Sequence, residues 1–382
     1  MSRPLGELSL PKYILPKMLP LRPIERVYPS QYSLISSCPL RGVWSCSRVP
    51  PLLPTTPESY VGSIAHAVLQ KVASGSIKAQ EEIQLAWEAN EKDIENKLSG
   101  SWIEHHFVPL SLSARYYEVK KKQCLKLAKS LISHGLPYKS TRRTRRDTVE
   151  KWYETPDSMV GGYIDKILDT PEGDVIVDYK TGKVLEDETG TRATIKEAYS
   201  EQLKLYAALY YTKHKTWPAS LMIISLDCQE YTISFTPEKC LDLLNNARQL
   251  LLDINYLIEK GTLNNIDLVY GKLARPSPLN CQLCLYRPAC KSYWVTRDEA
   301  PNSYWPNDIC GVVTDKRLLG NGLLLIKING SGKEHIVRGL HPSRHIALTG
   351  LKNNTIVCSL RHDRGGSYSE TNLTTIYMIA PD

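Results

Sequence analysis

Two apolar runs, Ser158–Leu168 and Val175–Tyr179, flank the connector Asp169-Thr-Pro-Glu-Gly-Asp174. Strand-forming residues on either side of a Pro/Gly/Asp-rich link predict an antiparallel hairpin. Asp178 and Lys180, two apart in an extended strand, then project from one face. With the fold-back near Glu172–Gly173, Asp165 is expected across from Lys180 and diagonal to Asp178. Diagonal neighbours lie roughly 7–8 Å apart at their backbones, near enough for both carboxylates to reach one ion. Two carboxylates and an amine on an otherwise apolar hairpin are costly to bury without a cation or a reaction that uses them. Hard oxygen ligands of this kind suit Mg²⁺ or Mn²⁺. A surface hairpin with a cross-strand Asp–Lys pair would explain the same residues, so the rest of the chain has to decide.

At 382 residues, with 42% hydrophobic and 23% charged residues, the chain has room for a large core and is not a disordered tail. The net charge of +8 tolerates a polyanionic partner without requiring one. No apolar run reaches the roughly 18–20 residues of a membrane span. The N-terminal prolines (Pro4, Pro11, Pro16, Pro20, Pro23) interrupt any signal-like stretch. A cytoplasmic setting is therefore expected, where ten uneven cysteines favour metal over disulfides.

Residues 1–30 read as an extended arm rather than a core element, 31–300 as the main domain and 301–382 as a small β module. Thr56 is expected to N-cap a helix that has Pro57 in its first turn and Ile64, Ala65, Val68, Leu69 and Val72 on one face. Further helices are expected over Ala79–Leu98, Ser113–Ile132, Ile195–Tyr211 and from Pro237 to about Ile258. Strands are expected at Leu221–Leu226 and Glu230–Phe235. After Pro301, short alternating runs separated by Gly, Asn and Ser predict an all-β unit, with a barrel as one form it could take.

Four motifs now stand in order: Gly62-Ser-Ile-Ala-His66, Gly162-Tyr-Ile-Asp165, Asp178-Tyr-Lys180 and Gln202-Leu-Lys-Leu-Tyr206. This set resembles the PD-(D/E)xK nuclease superfamily over roughly Tyr32–Trp294. Its RecB-like branch is the nearest in pattern, with the CRISPR-associated exonucleases of the Cas-four family and the nuclease domains of AddB and Dna-two. The resemblance implies a restriction-endonuclease-like α/β fold, a mixed central sheet flanked by helices. It also implies a metal set of His66, Asp165, Asp178 and the carbonyl of Tyr179, with Lys180 beside it. Gln202 and Tyr206, i and i+4 on one helix, would position the strand or support the lysine.

Cys281-Gln-Leu-Cys284-Leu-Tyr-Arg-Pro-Ala-Cys290 places three thiols within a metal-chelating spacing, one short of a tetrahedral set. Cys38, in Cys-Pro-Leu-Arg, matches the N-terminal cysteine of iron–sulfur members of the branch, and Cys46 competes for the fourth place. Spacing leaves Zn²⁺ and a [4Fe–4S] cluster open; the resemblance implies the cluster, as a structural staple closing a loop of about 240 residues.

The basic run Lys139-Ser-Thr-Arg-Arg-Thr-Arg-Arg146 could track phosphates, and Trp152 and Tyr153 could stack on bases or fill the core. The β module carries nine Lys and Arg against six Asp and Glu from Trp305 onward, and an OB-like barrel there could guide single strands. No Gly-x4-Gly-Lys-Ser/Thr motif is present, so any helicase is a separate protein. The expectation is a metal-dependent deoxyribonuclease, an exonuclease on single-stranded DNA in repair, recombination or CRISPR-type processing. A structure-specific endonuclease and a non-catalytic DNA-binding subunit are the alternatives.

Overall fold

The computed structural model describes residues 13–134, 148–186, 193–261, 265–345, 348 and 354–380. The basic run Lys139–Arg146 lies outside the described residues.

A five-stranded mixed sheet organises the first part of the chain. Its strands are β1 (Thr148–Glu154), β2 (Gly161–Thr170), β3 (Gly173–Lys180), β4 (Ser220–Ser225) and β5 (Glu230–Ile233), paired in that order. All neighbours are antiparallel except β3 and β4, and their parallel pairing requires a crossover. Helix α6 (Glu197–His214) lies in that crossover, preceded by helices α1 (Tyr32–Ser37), α2 (Pro39–Cys46), α3 (Pro57–Ala73), α4 (Gln80–Ser99) and α5 (Tyr117–His134), and followed by α7 (Pro237–Gly261). The even residue Ile176 of β3 packs into a core with α6 and α7. The odd residues Val175, Val177 and Tyr179 pack into a second core with α3, α4 and α5. Alternation of this kind, with apolar residues on both faces, is what a covered central strand needs. It also sends Asp178 and Lys180 toward α6.

The hairpin closes more tightly than expected. Thr170 pairs with Gly173, leaving Pro171 and Glu172 as a two-residue turn, and Lys166 pairs with Val177. Extending that register sets Asp165 against Asp178 rather than across from Lys180. The expected register was two residues out. A slip of two preserves the face of every side chain, whereas a slip of one would have turned the acids away from each other.

Residues 13–30 correct another expectation. They hold no helix before the short 3-10 turn Pro29–Gln31, yet Leu19, Ile24 and Val27 are buried in the main core. Ile14–Leu15 pairs parallel with the strand Thr375–Ile379 at the far end of the chain. Thr56 occupies the N-cap position of α3, but its hydroxyl meets the Ser59 hydroxyl at 3.0 Å and makes no cap to the backbone.

Beyond the helices Ile266–Leu273, Pro278–Gln282 and Lys291–Glu299 the chain is all β. Strands β6 (Ile309–Leu318), β7 (Leu324–Gly330), β8 (Lys333–Leu340), β9 (Asn354–Cys358) and β10 (Thr375–Ile379) form most of an eight-stranded sheet. It surrounds its own core, including Ile309, Val313, Ile326, Ile328 and Val357. It is tied to the first part through Tyr377, whose hydroxyl donates to Leu52 O at 2.6 Å. Asp308 makes a second tie, accepting from Arg287 Nε at 2.6 Å, Tyr293 OH at 2.9 Å and Ser359 N at 2.7 Å. Among the described residues no helix is long and apolar enough to cross a membrane.

Candidate active site

Asp165 sits where the sheet loosens. The β1–β2 ladder passes from Val149↔Lys166 to Lys151↔Ile164, and the β2–β3 ladder ends at Lys166↔Val177. Glu150, opposite Asp165, has a φ of 47°. Such local breaks re-aim side chains, and Ile164 and Ile167, three apart, accordingly reach the same core. Past this point β3 remains held by β4, through Asp178↔Ile223, Tyr179↔Ile224 and Lys180↔Ser225. The Tyr179 N–H instead donates to Asp165 Oδ2 at 3.1 Å. The two strands thus part at the acids, and a cleft of 570 Å³ opens between them, α3 and α6.

The cleft gathers all seven residues named from sequence for the metal and catalytic site: His66, Asp165, Asp178, Tyr179, Lys180, Gln202 and Tyr206. His66 Nε2 is 3.4 Å from Asp165 Oδ2. Lys180 Nζ donates to Gln202 Oε1 at 2.7 Å and lies 2.9 Å from Asp178 Oδ2. Gln202 Nε2 donates to Asp178 Oδ1 at 2.9 Å and approaches Tyr206 OH at 3.5 Å. Gln202 is therefore a bridge: its carbonyl faces the ammonium and its amide faces the carboxylate. Two further residues were missed from sequence. Tyr199 lies under Lys180, whose Nζ is 4.7 Å from the ring centroid, and Lys120 of α5 reaches the same cleft. Tyr199 precedes Gln202 by three residues, and that helical spacing was a legible signal.

Burial separates the two acids. The Asp178 side chain is 3% exposed and that of Asp165 is 19%. Burial pushes the Asp178 carboxyl up to about 6, against the pull of Lys180. The contact with Asp165 raises the His66 imidazole, and burial opposes it. Burial, then the charge of Asp178, raises the Tyr206 phenol. Asp178 Oδ2 is buried and makes no hydrogen bond; Lys180 meets it only as an ion pair out of line. A buried carboxylate oxygen met by a single ammonium is under-compensated, and a divalent cation would relieve that cost. The donor set of two carboxylates and an imidazole fits such an ion in chemistry, with Asp165 meeting His66 and the Tyr179 N–H while Asp178 is turned to Gln202 and Lys180. Among the described residues no group of three or more His, Cys, Asp or Glu is spaced to hold a metal ion.

The sequence model of the PD-(D/E)XK nuclease superfamily matches residues 26–291, well over half of the chain. The chain belongs to that superfamily. Among curated proteins no sequence matches it. The nuclease is therefore a hydrolase of a metal-dependent family whose members act on DNA, and the matched span contains the cleft and the three clustered cysteines.

The cysteines form a separate group. Burial pushes the Cys281 thiol up to about 11 and Cys290 up to about 12, and it also raises Cys284. Cys38 adds to the shift of each of the three. Cys46 adds to none of them; its thiol donates to Gln31 Oε1 at 3.3 Å. Cys38 thus lies near enough to the triplet for its charge to act on all three thiols. The surrounding chain is already joined: Arg41 Nη2 donates to Leu283 O at 3.2 Å and Asn280 Nδ2 to Ser37 O at 2.9 Å. Of the two aromatics weighed as base-stackers, Tyr153 is core, 2% exposed and 3.1 Å from His214 Nε2. Trp152 lies at the surface, with the Arg26 guanidinium 4.8 Å over its ring.

Proposed function

We infer that the protein is a DNA nuclease that uses Mg²⁺ or Mn²⁺ and degrades single-stranded DNA from an end. The observation that carries this reading is the closed triangle of Asp178, Lys180 and Gln202 at the point where β2 and β3 part, with Asp165 in the same cleft, held by the Tyr179 N–H and met by His66 from α3. His66, Asp165, Asp178 and the Tyr179 carbonyl are the residues that would hold the ion. When bound, it polarises a phosphodiester oxygen and acidifies a water. Lys180 stands beside that centre to orient the water and balance charge as the phosphate is attacked. Gln202 keeps the lysine at 2.7 Å and the aspartate at 2.9 Å from its own two ends, so neither can swing away alone. Tyr206, buried behind Gln202, fixes the amide from the far side.

Cys38, Cys281, Cys284 and Cys290 are the ligands of a structural [4Fe–4S] cluster, or of Zn²⁺ in its place. Support comes from the electrostatic reach of Cys38 to the other three and from the hydrogen bonds that already join the two segments. The β sheet of residues 301–382 guides the strand.

The test is digestion of end-labelled linear and of circular single-stranded DNA in Mn²⁺, by the parent and by Lys180→Ala. Loss of cutting in the variant, with the circle spared by the parent, is expected. A variant as active as the parent would refute the catalytic assignment. Absorption near about 400 nm after anaerobic purification reports the cluster.

A further inference from the structure

The catalytic cleft adjoins two other pockets. Glu58 lines both the cleft and a pocket of 910 Å³ beside Tyr304. Ser30 lines both the cleft and a pocket of 610 Å³ that carries Arg22, Arg26 and Arg48. Their electrostatics differ. On the Tyr304 side the shared residue is a carboxylate, and the arginine lining that pocket, Arg287, is committed to Asp308. On the Ser30 side three guanidiniums face one carboxylate, Glu25. Arg26 is engaged, with Nη2 2.9 Å from Glu154 Oε2. Arg22 and Arg48 are exposed, and neither guanidinium has an ion-pair or hydrogen-bond partner among the described residues.

Arg48 also stands where the backbone disfavours it. Helix α2 ends with the Val49 N–H on Trp44 O at 3.0 Å and the Arg48 N–H on Ser45 O at 3.2 Å. That is the Schellman pairing, and it puts Arg48 in the left-handed region at a φ of 55°. Glycine is the usual occupant because it has no Cβ to strain. Here the position carries a cation beside an active cleft.

We propose that this pocket is a phosphate subsite. Arg22 and Arg48 grip a phosphate of the same nucleic-acid strand whose scissile bond lies in the catalytic cleft. The inference rests on the nuclease reading and adds a direction: the strand's backbone leaves the cleft past Ser30, away from the carboxylate of Glu58. The planar guanidinium fork matches phosphate oxygens, and among the described residues neither side chain has a partner to displace. The bound group is an internal phosphodiester or a terminal phosphomonoester, which offer the same oxygens.

The test uses the full chain without divalent ions, so that cutting plays no part. Binding of a fluorescent oligothymidylate is followed by anisotropy across a salt series. Arg48→Gly removes the guanidinium and gives the turn its preferred residue, so its thermal midpoint is expected at or above the parent's. The slope of log affinity against log salt should fall by about 0.7 for each guanidinium removed, about a fivefold loss near roughly 0.1 M salt. Arg48→Lys should keep most of the slope, and Arg22→Gln with Arg48→Gly should lose twice as much as either alone. A loss seen only with phosphate-ended oligomers identifies a terminal group; an equal loss with hydroxyl-ended ones identifies an internal diester. A double variant with the parent's affinity and slope overturns the subsite. If that variant matches a parent that does cut DNA, the nuclease reading survives alone. If binding depends on the arginines but no metal supports cutting, the subsite survives and the nuclease reading does not.

Discussion

Replacing Asp308 by alanine would strand a guanidinium at the junction between the cysteine segment and the β sheet. The side chains of Arg287 and Asp308 are 5% and 0% exposed, and the carboxylate accepts from Arg287 Nε at 2.6 Å and Nη2 at 3.2 Å. It also accepts from Tyr293 OH and from the Ser359 N–H. The variant leaves Arg287 with Cys284 O and Ser359 Oγ, and leaves the Tyr293 hydroxyl and the Ser359 amide without their acceptor. Breaking a buried pair from one side costs about 3–5 kcal/mol, and each orphaned polar group adds about 1–3. A loss of at least about 5 kcal/mol is therefore expected in urea unfolding followed by far-ultraviolet circular dichroism. Removing both charges as Arg287→Met with Asp308→Leu should restore most of it, because no lone charge remains. Burial pushes the Asp308 carboxyl up, but Arg287 and the surrounding donors hold it below its usual value. Its contribution is thus complete above the unfolded-state value of about 3.9 and fades as pH falls through the lower folded one. The penalty of Asp308→Ala should accordingly be flat from neutrality down to about pH 5 and shrink only in stronger acid. A penalty under about 1 kcal/mol, the scale of an exposed pair, would refute the reasoning.

Gln202→Ala should lower kcat about a hundredfold with the circular dichroism spectrum unchanged, because it frees Lys180 and Asp178 together; an unaltered rate would remove the bridge from the mechanism. Gly162→Ala should cost about 1–3 kcal/mol of stability in the same urea assay, since its Cβ would lie 2.9 Å from Pro29 Cδ and 3.3 Å from Tyr206 Cε1. A variant as stable as the parent would mean that the strand relaxes more easily than this packing allows.

The parts of the site that share one element were legible in the sequence. Asp178 and Lys180 lie on a single strand, and Gln202 and Tyr206 lie on a single helix. Strand and helix periodicity fixes such relations before any tertiary contact forms. The facing of Asp165 toward Asp178 was also readable, because a hairpin with an even register error keeps its faces. What escaped was set by distant chain. The break in the ladders at Asp165 depends on β1, whose Glu150 carries no local signal for a positive φ. The prolines before Arg22 spoke against a helix, yet the burial of Leu19, Ile24 and Val27 depends on partners well beyond them in the chain, such as Asn255, whose side chain bonds both the N–H and the carbonyl of Ile24. Arg48 carried no signal in the sequence, because the left-handed turn that presents it exists only in the closed helix end.

The pairing of Ile14–Leu15 with β10 carries a consequence for how the molecule is made. The early strand has no edge to join until more than three hundred further residues have left the ribosome. Loop closure over such a span is slow, and until it occurs the apolar side chains that follow in the leading segment stay open to solvent and to neighbouring chains. Shortening the trailing end by its last strand would therefore be felt first at the opposite terminus, as protease sensitivity around Leu15.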